Sequence, residues 1–187
     1  MPNPESLNWN DMARAIRELN DSAVNMPPDP DVDSYLDSLA TKCPCKLPDS
    51  IRELYRATDG LSGSSCLPGK FDGNKYLTFS LIPARELADW YQTMCENDGG
   101  RRGIWRSFPH WMRTLTIPDD AEGLWNPWWI PFATDGGAAV QFVSGSFFGG
   151  VFEYTPSTFA IRKCARTLNG YFSNVMKRVV AGNLETM

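Results

Sequence analysis

The stretch Trp129-Ile130-Pro131-Phe132-Ala133-Thr134-Asp135-Gly136-Gly137 decides the fold that this sequence predicts. Two similar runs follow it, Ala139-Val140-Gln141-Phe142-Val143 and Gly150-Val151-Phe152-Glu153-Tyr154. All three are rich in β-branched and aromatic residues and are separated by glycines, which is typical of consecutive antiparallel strands. Asp135-Gly136 predicts a tight turn, because glycine adopts a positive φ without a Cβ clash. The second half of the chain is therefore expected to hold an antiparallel sheet.

Apolar residues at three- and four-residue steps predict helices on the N-terminal side of these strands. The first covers about Leu7–Val24, and the second carries Val32–Leu39. A third follows Leu47-Pro48, since proline suits the first turn of a helix. Asp59-Gly60 is expected to end this helix, with Gly60 as its left-handed cap.

The remaining segments complete a mixed architecture. Residues 61–74 predict a loop rich in glycine and serine, and Tyr76–Ile82 predicts a strand that leads into a helix at Pro83. An apolar stripe over residues 159–179 predicts one long C-terminal helix that stops near Gly182. This order of elements predicts a single α+β domain, with a central antiparallel sheet packed against N- and C-terminal helices.

Composition excludes several classes of protein. Hydrophobic residues make up 42% of the 187 residues and charged residues 21%, which is typical of a folded chain. No apolar run is long enough to span a membrane, and no clustered basic face indicates direct nucleic-acid binding. The polar N-terminus predicts no secretory signal, so we expect a cytoplasmic protein whose five cysteines are free thiols.

No set of residues predicts catalysis, a metal site or a cofactor. His110 is the only histidine, and no Gly-x-Ser-x-Gly or phosphate-loop pattern occurs. Cys43 and Cys45 are separated by one residue, whereas common zinc and redox motifs have two residues between their thiols. We therefore expect a protein without catalytic residues.

Two features are candidates for binding a partner. Asp29, Asp31 and Asp33 lie at the start of the second predicted helix, where carboxylates favour the positive end of the helix dipole. They predict either a solvated helix start or a surface complementary to a basic toxin such as a nuclease. The second candidate is the irregular segment 95–127, whose tryptophans and arginines suit an interface; its candidate residues are Trp105, Arg106 and Trp111.

Four markers stand in a recognisable order along the chain. They are the helix opened by Leu47-Pro48 and ended by Asp59-Gly60, Leu81-Ile82-Pro83 with Glu86-Leu87, the Ile130-Pro131-Phe132-Ala133-x-Asp135-Gly136-Gly137 strand and turn, and Gly150-Val151-Phe152 before a C-terminal helix. Together they resemble the SUKH superfamily, in particular the branch named after a fungal cell-wall synthesis regulator. The resemblance covers roughly residues 45–180.

The resemblance implies a function that composition and periodicity do not supply. It implies an α+β fold and a non-enzymatic binding protein. Many bacterial members resemble immunity proteins that neutralise a cognate protein toxin, whereas eukaryotic members resemble scaffolds in cell-wall assembly and signalling. Ala138-Ala139 stands where the family commonly has a small polar pair, and segment 95–127 is longer than the usual connection. We therefore expect residues 1–44 to be a helical extension of a domain at 45–187, with an enlarged insertion at 95–127.

Overall fold

The computed structural model describes residues 24–62, 65, 67–69, 76–97, 120–122, 125–137, 139–145, 150–158, 160–183 and 185–186. The helices of this part are α1 (Val32–Lys42), α2 (Asp49–Ala57), α3 (Leu87–Asn97) and α4 (Leu168–Val180), with a 3-10 turn at Ala84–Glu86 before α3. Its strands are β1 (Val24–Met26), β2 (Gly60–Ser62), β3 (Leu67–Pro68), β4 (Tyr76–Leu81), β5 (Asp120–Glu122), β6 (Trp129–Thr134), β7 (Val140–Ser144), β8 (Val151–Thr155), β9 (Ala160–Ala165) and β10 (Glu185–Thr186). The predicted α+β class is confirmed.

One sheet carries most of these strands, in the order β10-β4-β6-β7-β8-β9-β5, and β3 also pairs with β4. All described pairs are antiparallel except β10 with β4. The three strands predicted from the glycine-punctuated runs form its middle, β6-β7-β8. Their residues are buried almost throughout, so these strands face covered surfaces on both sides.

The turn between β6 and β7 has the geometry that its glycines predict. Gly136 and Gly137 have φ values of 98° and 131°, which side chains with a Cβ rarely adopt. The Asp135 carboxylate accepts hydrogen bonds from the backbone nitrogens of Gly137 at 3.3 Å and Ala139 at 2.8 Å. This carboxylate therefore closes the turn from inside.

The three helices before the sheet follow the apolar periodicity. α1 packs against α2 and α3, and α3 packs against β6. The predicted cap of α2 is wrong, because α2 ends at Ala57 and its C-cap residue, Thr58, is extended. Gly60 instead begins β2 and pairs with Met26 of β1, while the Thr58 nitrogen donates to the Leu54 carbonyl at the end of α2.

The β1-β2 pair changes two other predictions. Val24 begins a strand and does not end a helix; the rest of the predicted helix Leu7–Val24 lies outside the described residues. The predicted loop at 61–74 contains the end of β2 and the whole of β3. The Met26 carbonyl accepts hydrogen bonds from the Thr58 hydroxyl at 2.9 Å and the Asp59 nitrogen at 3.2 Å, which secures β1 to the end of α2.

The C-terminal part holds a strand and a helix where the sequence predicts one long helix. Ala160–Ala165 pairs with β8 as β9, and α4 begins only at Leu168. The Thr167 hydroxyl caps α4 by accepting a hydrogen bond from the Gly170 nitrogen at 3.0 Å. Cys164 thus belongs to a strand. The apolar stripe over 159–179, predicted as one helix, combines residues of β9 and α4.

The predicted stop at Gly182 is confirmed. Gly182 has a φ of 66°, its nitrogen donates to the Val179 carbonyl at 3.0 Å, and the Asn183 nitrogen donates to the Arg178 carbonyl at 2.9 Å. These two bonds form a Schellman motif, in which a left-handed residue satisfies carbonyls of the last helical turn.

The residues that carry the family resemblance lie in the core. Leu54, Tyr55, Phe132, Val151 and Phe172 are all buried, with at most 1% of their surface exposed. The Tyr55 hydroxyl contacts the carbonyl oxygens of Ile82 at 2.7 Å and Phe132 at 3.1 Å, and so links α2 to the sheet.

A cluster of aromatic rings covers the sheet near β6-β7-β8. Trp129 stacks on Phe142 with ring centroids 4.3 Å apart, and Trp125 meets both rings edge-on. Phe152 and Tyr154 extend the cluster along β8. Several of the chain's tryptophans and phenylalanines are therefore core residues, as their number alone would suggest.

Candidate functional site

The aspartates at the start of α1 have different roles: Asp29 shapes the turn that begins the helix, and Asp33 forms an ion pair with α2. The Asp29 carboxylate accepts a hydrogen bond from the Asp31 nitrogen at 2.9 Å, and the Val32 nitrogen donates to the Asp29 carbonyl at 3.1 Å. Asp29 therefore shapes the turn that begins the helix. The side chain of Asp31 is exposed, and this N-cap residue makes no side-chain cap hydrogen bond.

Asp33 faces α2. Its carboxylate accepts two hydrogen bonds from Arg56, at 2.8 Å and 3.0 Å, and Asp37 forms a parallel ion pair with Arg52 at 2.9 Å. These pairs link α1 to α2 across their exposed sides. Of the three predicted aspartates, Asp33 pairs with one of these arginines, and Asp29 and Asp31 pair with neither. The spacing of the residues in the sequence did not reveal this difference.

The structure describes only the ends of the predicted Trp/Arg-rich insertion. Cys95 and Asn97 end α3, and β5 pairs with β9 at the edge of the sheet. Trp125 is 1% exposed and belongs to the aromatic cluster, so it is a core residue. The candidate residues Trp105, Arg106 and Trp111, and His110 with them, lie outside the described residues.

Three thiols meet where the linker after α1 crosses α3. Cys43 follows α1, Cys45 lies two residues later, and Cys95 is buried in the last turn of α3. The Tyr91 hydroxyl donates a hydrogen bond to the Pro127 carbonyl at 2.7 Å, and it lies near enough to Cys43 and Cys95 for these groups to influence one another's pKa. Sequence spacing links Cys43 with Cys45, but only the packing of α1 on α3 adds Cys95.

Burial controls the ionisation of this cluster. Burial, reinforced by the neighbouring Cys45 and Cys95, raises the pKa of Cys43 from 9.0 to about 12, and the Tyr91 hydrogen bond opposes the rise. Burial likewise raises the pKa of Cys45 to about 11. Burial and the same three sulfurs raise the pKa of Tyr91. Cys43 and Cys45 are therefore protonated at neutral pH.

This protonation predicts slow alkylation in the folded protein. At pH 8 we expect iodoacetamide to modify Cys45 at least about tenfold more slowly than in the guanidinium-unfolded chain. Because the pKa of Cys45 is raised by two units, the fraction of this thiol present as thiolate falls about a hundredfold. A thiolate of higher pKa is also more nucleophilic, which offsets about half of this decrease on a logarithmic scale. Peptide mass spectrometry over time measures both rates. Equal rates in the folded and unfolded chains would contradict the protonated cluster.

Metal binding and membrane insertion find no support in the described residues. No group of three or more His, Cys, Asp and Glu side chains there could hold a metal ion. Among the helices that the structure describes, none is both long enough and apolar enough to cross a bilayer.

A buried polar network lies on the face of the sheet that meets α4, and the sequence did not predict it. Gln141 on β7 is opposite Glu153 on β8, and both are fully covered. The Gln141 amide nitrogen donates to the Pro68 carbonyl at 2.9 Å and lies 3.5 Å from the Glu153 carboxylate. The Tyr171 hydroxyl of α4 lies 2.9 Å from the Gln141 amide oxygen and 3.2 Å from the Pro68 carbonyl. The sequence signal that could have predicted this network is the single polar residue inside each of two apolar strands, Gln141 in β7 and Glu153 in β8.

Comparison with known proteins identifies the family. The model of the SMI1 / KNR4 family (SUKH-1) matches residues 33–174, which span α1 to the middle of α4. The chain belongs to the SMI1 / KNR4 (SUKH-1) family. No curated protein matches the chain at the required significance. The match contains all four marker segments on which the resemblance to the SUKH superfamily rested.

Proposed function

We propose that this SUKH-1 protein is a non-enzymatic, cytoplasmic binding protein that neutralises a cognate protein toxin by direct contact. Family membership is the observation that carries the proposal. The described residues add an α+β scaffold whose sheet and helices share one core. Such a scaffold suits an inhibitor if its surface is preorganised, because little conformational entropy is then lost on binding.

The proposed docking surface combines the start of α1 with segment 95–127. Asp29 and Asp31 place two carboxylates at the start of α1, where they can attract a basic toxin such as a nuclease. Trp105, Arg106 and Trp111 are the proposed anchors, because tryptophan and arginine dominate interface hot spots. Asp33 is the weaker member of the set, since its ion pair with Arg56 must break or be shared when a partner binds.

The first test is protection of cells. We expect expression of this chain to rescue cells that express a toxin encoded next to it, and the purified pair to form a stable complex. A neighbouring toxin that kills with equal efficiency in the presence and absence of this chain would contradict the proposal. The family also includes the branch named after a cell-wall regulator, and a pull-down that returns several signalling proteins and no toxic partner would favour a scaffold.

Docking variants test the surface itself. Asp29→Asn with Asp31→Asn, Trp105→Ala and Trp111→Ala should each weaken toxin binding by about 1–3 kcal/mol, the range of hot-spot truncations. Asparagine can still accept the hydrogen bond that shapes the helix start, so stability should be retained. Calorimetric titration measures binding, and thermal unfolding measures stability.

A control makes a single Asp→Asn change at another position. Asp89→Asn removes an exposed carboxylate beside Lys42, at the opposite end of α1, and should leave toxin binding unchanged. If every docking variant binds as tightly as the parent, the toxin docks elsewhere. If the tryptophan variants unfold, those rings belong to the core.

A further inference from the structure

We propose that one side of α3 is a docking patch for an arginine side chain of a basic partner, with Trp90 at its centre. The patch consists of Glu86, Trp90 and Thr93, and none of these residues belongs to the docking surface proposed above. The inference rests on the proposed function for the identity of the partner, which is the cognate toxin. The sequence did not single out this patch, because Trp90 continues the apolar spacing of Leu87 and Met94.

Trp90 lies at the margin of the buried face of α3. Leu87, Tyr91 and Met94 are buried, whereas Trp90 packs against the core with part of its side chain and is partly exposed. In the described part of the chain, its indole N–H donates no hydrogen bond and its ring contacts no other aromatic ring. A large amphipathic ring that the core holds in place, and whose donor no protein group uses, is the usual form of an interface anchor.

Glu86 and Thr93 lie on the same side of the helix as Trp90. The 3-10 turn that contains Glu86 runs directly into α3, since Leu87 has helical dihedral angles, with φ at -55° and ψ at -42°. Residues three or four positions apart are neighbours on a helix surface, so Glu86 and Thr93 flank the indole ring. The Glu86 side chain is 47% exposed, and its ion pair with Arg85 is long, at 3.7 Å. An exposed pair of this kind contributes little, so the carboxylate can exchange it for a cation of the partner.

The chemistry of the patch selects an arginine. A guanidinium group stacks on an indole face and donates two parallel hydrogen bonds to a carboxylate, which an ammonium group does not do. Trp90 and Glu86 supply these two groups side by side. α3 itself contains no lysine or arginine that would repel such a cation. The Trp90 N–H and the Thr93 hydroxyl then remain for polar groups of the partner's backbone.

The patch is separate from the contact between α3 and α1. Asp89 precedes Trp90 in the sequence, but it lies about 100° away around the helix axis. The Asp89 carboxylate is 3.8 Å from the Lys42 ammonium group of α1. Asp89→Asn therefore remains a control for this patch as well.

The test measures binding of the full-length chain to the toxin that is encoded next to it, purified as a catalytically inactive variant. Trp90→Ala should raise the dissociation constant roughly 30-fold or more, as expected for a hot spot. Trp90→Phe keeps an aromatic face but lacks the N–H, and should raise it roughly 3–10-fold. Glu86→Gln should also raise it roughly 3–10-fold, with slower association at low salt.

A double-mutant cycle identifies the arginine of the toxin. Each surface arginine of the toxin is replaced by lysine in turn, which keeps the charge but removes the planar group. For one of them, the replacement should weaken binding to the parent at least about fivefold more than binding to Trp90→Ala, because contacting residues are not additive.

Two variants serve as matched controls. Glu53→Gln changes an exposed acid of α2, and Met176→Ala shortens a partly buried apolar side chain of α4. Both should bind the toxin with the affinity of the parent. Oxidative footprinting of the parent makes the test independent of the folding of any variant, because the bound toxin should protect the Trp90 peptide from hydroxyl radicals.

The outcomes separate this inference from the proposed function. A toxin that binds the parent but leaves Trp90 open to oxidation would overturn the patch while the proposed function stands. The same holds if Trp90→Phe and Glu86→Gln both bind with the affinity of the parent. A neighbouring toxin that does not bind the parent at all would overturn both proposals.

Discussion

Phe132→Ala should lower the free energy of unfolding by about 3–5 kcal/mol, the range for truncation of a buried phenylalanine. Phe132 is completely buried, and its ring lies 6.3 Å from that of Phe172 and 6.4 Å from that of Tyr171. The loss combines the transfer free energy of the ring with the cavity left between β6 and α4. Urea unfolding followed by tryptophan fluorescence measures it, and the thermal midpoint should fall by roughly 10 °C.

The position of Phe132 makes this effect large. β6 has an irregular register between Pro131 and Ala133, so Phe132 is the extra residue and its ring is free to point toward α4. Its carbonyl oxygen accepts hydrogen bonds from the Ile82 nitrogen at 2.9 Å and from Tyr55. Alanine retains these backbone contacts, so the variant isolates the contribution of the ring.

An exposed residue provides the control for Phe132. Val180 at the end of α4 is 72% exposed, and Val180→Ala should change the free energy of unfolding by less than about 0.5 kcal/mol. A loss below about 1 kcal/mol for Phe132→Ala would show that this marker residue is not a core residue in solution.

The sequence predicts the middle of the sheet well, because its signals there are local. Glycine turns and runs of β-branched and aromatic residues define β6, β7 and β8, and the turn closed by Asp135 needs no distant contact. α1 and α4 likewise follow from apolar periodicity, and the Schellman motif at Gly182 follows from its glycine.

The errors arise where strand pairing decides the structure. Gly60 has the right identity for a helix cap, but its pairing with Met26 makes it part of a strand. The apolar residues of β9 continue the helical stripe of α4 by chance, and only pairing with β8 separates the two elements. Long-range pairing overrides local propensity, and a single sequence contains no direct record of it.

Dependence on contacts between distant segments also limits the prediction of functional sites. The acidic start of α1 is visible in the sequence, yet the pairing of Asp33 with Arg56 depends on how α1 lies against α2. Cys95 lies near Cys43 only because α1 packs against α3. Residue type therefore identifies candidates, and packing decides which of them share a site.

Removal of Gln141 should have the second large effect on stability. Gln141→Leu keeps the volume of the side chain but removes the donor to the Pro68 carbonyl and the acceptor near the Tyr171 hydroxyl. It also leaves the buried Glu153 carboxyl without the amide 3.5 Å away. Because buried polar groups that lose a partner retain their desolvation cost, we expect a loss of about 2–4 kcal/mol. Urea unfolding at pH 7 measures it.

A double-mutant cycle separates the network from simple packing. Tyr171→Phe removes one hydroxyl that lies near both Gln141 and Pro68, and should cost about 1–3 kcal/mol alone. In the Gln141→Leu background the same change should cost less, because the amide oxygen that contacts this hydroxyl is already absent. The expected coupling is about 0.5–3 kcal/mol, as for residues within one hydrogen-bond network. Additive losses would mean that Tyr171 and Gln141 stabilise the protein independently, so that the contact between them adds nothing and the Tyr171 hydroxyl acts through the Pro68 carbonyl alone.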